Sequence, residues 1–155
     1  MMLSGRQVIG LIVRDSASGK SVGRISDIFA DHSSGEIRGF GLTDDSLLSH
    51  TMLLPISAVE TVGINGVIAD ASAIKRLRGK TETVLDWRGS LLRTPAGKDL
   101  GVVTDVFLSK GRIAGLEISG GLLSDLAERR SVVAWDNVKA DADGDFIKIN
   151  KEVLL

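Results

Sequence analysis

The stretch GKSVGRISDIF, residues 19–29, returns 78 residues further on as GKDLGVVTDVF, residues 97–107. Five positions are identical between the two: Gly19/Gly97, Lys20/Lys98, Gly23/Gly101, Asp27/Asp105 and Phe29/Phe107. Downstream, GEIRGFGL (35–42) matches GRIAGLEI (111–118) after a turn two residues shorter in the second copy. Upstream, Gly10 and Arg14 correspond to Gly89 and Arg93. Further on, LLPISAV (53–59) corresponds to VVAWDNV (132–138), and Gly66 to Gly144. Matches in this order imply duplication of one unit, and they divide the chain into a first copy, 1–78, and a second, 79–155.

Each copy reads as strand, turn, strand, turn, strand, a short helical turn and two more strands, since apolar residues alternate over short runs bounded by turn residues. Only DASAIKRL (70–77) and LLSDLAERR (122–130) have the look of one or two helical turns. The 18 glycines among 155 residues exceed the usual share of about 7%. They punctuate Val, Ile, Leu and Thr runs, as turns between short strands require. A unit of this size, all strand, buries its edges most economically as a small closed or nearly closed barrel. The expectation is therefore an all-β chain of two tandem small barrels.

Within the repeated phrase, Gly19 and Gly97 end hairpin turns. Gly23 and Gly101 fall inside a strand, where glycine marks a bend, a bulge or a close backbone approach. Strict alternation puts Asp27 on the face of Ile25 and Phe29, and Asp105 on that of Val103 and Phe107. An unpaired buried carboxylate is too costly. Either a bulge turns each acid outward or each accepts hydrogen bonds from turn amides.

These residues resemble the PRC-barrel family: a polar turn ending in GK, then Gly, a β-branched pair, Asp and an apolar residue, then G.I.GF.L or G.I.GLEI, then LLP or VVAW leading into SAV or DNV. The family takes its name from the cytoplasmic barrel of the photosynthetic reaction centre H subunit, and a related barrel ends a ribosome maturation factor. With GLLSDL after the third strand of the second copy, the tandem form is similar to bacterial stand-alone two-barrel proteins. The resemblance implies two tandem PRC-type barrels that bind other macromolecules. It does not imply reaction-centre docking, because the H subunit's membrane helix has no counterpart here. It suggests a ribosomal role only weakly, because the maturation factor's RNA-linked domain is also missing. The shared residues Gly19, Gly23, Asp27, Phe29, Gly97, Gly101, Asp105 and Phe107 are structural, so they specify fold rather than activity.

A net charge of -1 gives no global electrostatic footprint for nucleic acid or anionic lipid. With no cysteine, disulfides and thiolate chemistry are excluded. The first residues lack signal-peptide character, and no apolar run reaches the roughly 18 residues of a membrane helix. The expectation is a soluble, cytoplasmic protein without a cofactor.

Several motifs imitate chemistry. RDSASGKS (14–21) ends like a phosphate loop, but Arg14 stands where the first glycine is needed and a strand follows instead of a helix. In DADGDFIKINKE (141–152), Asp141, Asp143 and Asp145 have calcium-loop spacing, yet Phe146 replaces the essential glycine. They are weak cation candidates, read first as a hairpin turn. His32 and His50 read as solvated loop residues. No catalytic constellation emerges, so the expectation is a non-enzyme.

Two features suit a partner. The basic linker IKRLRGK carries Lys75, Arg76, Arg78 and Lys80, a weak, salt-sensitive contact for RNA or an acidic surface. In GLLSDLAERR, Leu122, Leu123 and Leu126 share one side of a short helix beside Arg129 and Arg130, either closing the barrel or meeting a partner. Trp87 and Trp135 occur only in the second copy. They fill a core or line the contact between barrels, and an exposed Trp135 would anchor a partner. The leading expectation is a protein-interaction module, with homodimer formation as one form of it. The alternatives are a ribosome-assembly or RNA-processing accessory acting through the linker, and a weak cation or small-ligand binder.

Overall fold

The computed structural model describes residues 2–43, 51–77, 81–120 and 131–149. The chain forms two seven-stranded sheets, one from each copy, with one strand exchanged. The first sheet holds β2 (Ile12–Asp15), β3 (Ser21–Ala30), β4 (Ile37–Thr43), β5 (Met52–Pro55), β6 (Val59–Gly63), β7 (Gly66–Ala69) and β8 (Lys75–Arg76), in the order β6-β7-β2-β3-β4-β5-β8. The second holds β9 (Leu91–Arg93), β10 (Asp99–Ser109), β11 (Arg112–Ser119), β12 (Ser131–Ala134), β13 (Val138–Ala140) and β14 (Phe146–Lys148), in the order β12-β11-β10-β9-β14-β13. Both repeat one curled topology, in which β2 pairs parallel to β7 and β9 parallel to β14.

The long central strands bend where the sequence carries its glycines. A Cβ at Gly23 would stand 2.9 Å from the Thr43 carbonyl oxygen, and one at Gly101 2.8 Å from that of Ser119. No real Cβ makes such a contact, so these positions carry the close backbone approach that the sequence foreshadows.

LLPISAV is not one strand. A 3-10 turn at Ile56–Ala58 separates β5 from β6, and its counterpart Trp135–Asn137 separates β12 from β13. These turns carry the chain round the barrel's corner. The segment 70–77 is likewise only partly helical: Asp70 caps a single turn at Ala71–Ala73, and Lys75–Arg76 then pair with Leu53 and Met52 as β8. Part of the expected basic linker is thus a strand of the first sheet.

The two copies are not beads on a string. The first strand, β1 (Leu3–Ser4), pairs with β10 in the second sheet, Leu3 facing Leu108 and Ser4 facing Phe107. Helix α1 (Gly5–Val8) follows, closed by a capping box in which Ser4 Oγ accepts from the Gln7 amide and Gln7 Oε1 accepts from the Ser4 amide. Reciprocally, the 3-10 turn Val84–Trp87 that opens the second copy packs on β3 of the first. One continuous apolar core results, from Leu3 and Val8 through Ile28 and Phe40 to Trp87, Leu116 and Phe146.

Candidate functional site

The exchanged segments explain the two repeated acids, Asp27, partly buried, and Asp105, buried. The β3–β4 register slips between Ile25 and Asp27, and the β10–β11 register between Val103 and Asp105, so a bulge sits at each acid. Each carboxylate then folds back on its own strand: Asp27 Oδ1 accepts from the Ile28 amide at 2.8 Å and Asp105 Oδ1 from the Val106 amide at 2.8 Å. Each also receives a donor from the other copy's entry segment. Thr83, which caps the Val84–Trp87 turn, donates its hydroxyl to Asp27. The Arg6 amide donates to Asp105 Oδ2 at 3.3 Å, and the Arg6 guanidinium meets Asp105 at 3.1 Å and Glu117 at 2.9 Å. A bulge is present at each acid, yet it does not turn Asp105 outward: that carboxylate stays buried and accepts from the Val106 and Arg6 amides. The acids tie the copies together, Asp27 engaged through Oδ1 and Asp105 through both oxygens.

The hairpin tips complete the union. The Ile37 amide donates to the Gly111 carbonyl at 3.0 Å and the Ile113 amide to the Gly35 carbonyl at 2.8 Å, so the β3–β4 and β10–β11 turns pair across the copies. On the second barrel's side of this seam lies an aromatic joint. Trp87 and Trp135 stack with ring centres 5.8 Å apart, and Phe146 stands edge-on to both. Trp135 Nε1 donates to the Ser34 carbonyl of the first copy's turn, and Trp87 Nε1 to Glu82. His32 packs at 4.5 Å from Phe146 and 5.4 Å from Trp87, and its Nε2 is buried with no hydrogen-bond partner among the described residues. This corrects the reading of His32 as a solvated turn residue. It also withdraws Trp135 from the partner surface, since only 8% of it is exposed. The contacts of His32 with Trp87 and Phe146, and of Trp135 with Ser34, join distant parts of the chain, beyond any local signal.

The PRC-barrel domain family matches residues 1–75 and again residues 83–154. The chain belongs to the PRC-barrel family. Among curated proteins, none matches it. Both matched segments are PRC barrels whose shared glycines and acids hold strands and joints, as placed above.

The remaining candidates fall in different places. In the acidic hairpin of the second PRC barrel, Asp145 accepts from the Leu91 amide at 2.9 Å and pairs with Arg93 at 3.1 Å. Its carboxylate serves β9, and Asp141 closes the turn by accepting from the Gly144 amide. No group of three metal-ligating side chains occurs among the described residues. In RDSASGKS, Asp15 accepts from the Ser18 and Ala71 amides, which locks the hairpin turn to the 3-10 turn after β7. Lys75 and Arg76 are exposed on β8. His50, Arg78, Lys80, Leu122, Leu123, Leu126, Arg129 and Arg130 lie outside the described residues. No helix among the described residues is long and apolar enough to cross a membrane.

One asymmetry between the PRC barrels bears on partners. In the first, β5 is covered along its outer side by β8. In the second, its counterpart β12 ends the sheet with no strand beyond it among the described residues, and Val132 on it is 57% exposed. The sequence reading did not single out Val132; its signal was a β-branched VV pair at the end of the expected contact segment.

Proposed function

We propose that the protein is a non-enzymatic interaction module whose second PRC barrel receives an extended segment of a partner protein along β12. The observation that carries this reading is that, among the described residues, no strand lies beyond β12, on which Val132 is exposed, whereas β8 lies beyond its counterpart β5. Unpaired backbone amides and carbonyls on a sheet edge are a template for an added strand, and side-chain pockets then supply selectivity. The segment 121–130 leads directly into this strand, so its leucines and arginines adjoin the same edge in sequence.

The test is affinity capture of the tagged protein from its own cells, with and without nuclease, beside the variants Val132→Lys and Val133→Pro. A discrete, nuclease-resistant partner lost from both variants supports the reading. Capture that disappears with nuclease and survives both variants replaces it with a nucleic-acid role.

A further inference from the structure

The aromatic joint has a counterpart on the first barrel's side of the seam, where three of the ring positions are aliphatic and Phe40, at the place of Leu116, is the aromatic on the lining. By the repeat, Val8 stands where the second copy has Trp87, and Ile56 where it has Trp135. The parallel pairs Val13–Val67 and Leu92–Phe146 place Val67 where it has Phe146. Three aliphatic side chains replace two indoles and a phenyl ring, and a cavity of about 350 Å³ lies at this joint, lined by Val8, Ile56, Val59, Leu108, Lys110 and Gly111 among others.

The hairpin glycines show the difference directly. A Cβ on Gly35 would stand 2.6 Å from the Trp135 ring, which rests on that glycine, whereas one on the equivalent Gly111 meets nothing within 4 Å. The space an indole occupies on one side of the seam is empty on the other. The residue before each glycine matters too. Trp135 Nε1 is satisfied by the carbonyl of Ser34, immediately before Gly35; the carbonyl in the matching position before Gly111 is that of Lys110. Lys110 is also the one non-glycine residue with positive φ among the described residues, at 51°. With Gly111 at 76°, it makes the two-residue hairpin turn between β10 and β11, whose central positions both take positive φ.

We propose that this cavity binds a small neutral aromatic heterocycle with an N–H donor, of the indole type. The ring lies over Gly111 as Trp135 lies over Gly35, and its N–H donates to the Lys110 carbonyl. The volume falls within the range of small-ligand sites, about 300–1,000 Å³. Apolar cavities of less than half this size take up a benzene ring. The lining carries one exposed acid, Glu60, and one exposed base, Lys110, and so has no excess of either charge. This site is separate from the β12 edge and stands or falls independently of it.

The probe is indole, titrated into the isotope-labelled full chain and followed by amide chemical shifts, with 1-methylindole as its control. Saturable shifts centred on Val59, Lys110 and Gly111 are expected, with 1-methylindole binding several-fold more weakly because it lacks the N–H. Ile56→Trp, which copies the second barrel, is expected to raise the melting temperature and to abolish the shifts; Ile56→Phe serves the same purpose if the larger ring does not fit. The proposal is overturned by any of three results: no saturable shift up to the solubility of indole, shifts centred elsewhere, or shifts that persist in a folded Ile56 variant. Binding of a tryptophan-containing peptide without binding of free indole would also overturn it, in favour of a partner's side chain.

Discussion

Gly35 and Gly111 hold the same place in the two hairpins, with φ of 74° and 76°, yet the structure gives them different roles. Alanine at either position incurs the left-handed penalty of about 1–2 kcal/mol. At Gly35 it also collides with the Trp135 ring 2.6 Å away, and such overpacking adds about 1–3 kcal/mol. Urea unfolding of Gly35→Ala and Gly111→Ala should therefore show the first to be the more destabilised by that increment. The repeated acids differ similarly. Asp105 is 1% exposed and satisfies two amides and Arg6, so Asp105→Ala should cost about 2–4 kcal/mol through donors left unpaired. Asp27 is only partly buried, and its replacement by Ala should cost less. A third acid sets a pH response. The Ser34 amide, then the Arg38 guanidinium and the Ser33 amide, hold the Asp31 carboxyl at about 2, below its ordinary 3.8. A depressed carboxylate stabilises the fold above its unfolded value, and that contribution fades as pH falls from about 4 towards 2. Melting curves across this window should show a shallower loss for Asp31→Asn than for the parent.

At the scale of elements, the repeat was readable because glycines, β-branched pairs and the two acids recur in order, and short strands are what such a pattern forms. The acids' environment was half readable. A carboxylate in the apolar phase signals a bulge or a hydrogen-bonded pocket, but the donors Thr83 and Arg6 belong to the other copy's entry segment. The two-residue strand Leu3–Ser4 carries no pairing signal of its own, so its place in the second sheet is a purely tertiary choice. LLP reads as a strand leading into SAV, and nothing in those residues announces the 3-10 corner at Ile56–Ala58. That corner delivers Ile56 to one joint, and its counterpart delivers Trp135 to the other. Removing Trp135 from the packed joint should cost about 3–5 kcal/mol, as large-to-small changes in cores do. Ile56→Ala, beside an existing cavity, should cost less than half as much by the same urea measurement.

For the whole molecule, exchanged entry segments, paired hairpin tips and a shared core make the two PRC barrels one cooperative unit. Both tryptophans lie in the joint and are 2% and 8% exposed, so their fluorescence reports on the seam, whereas far-UV circular dichroism reports on both sheets. The most direct test is equilibrium urea unfolding of the intact chain followed by both signals. One coincident transition, with the same midpoint and slope from each probe, is the predicted result. Loss of the tryptophan signal at lower urea, with the sheet signal retained to a second midpoint, would show barrels that stand without their joint and would contradict the account.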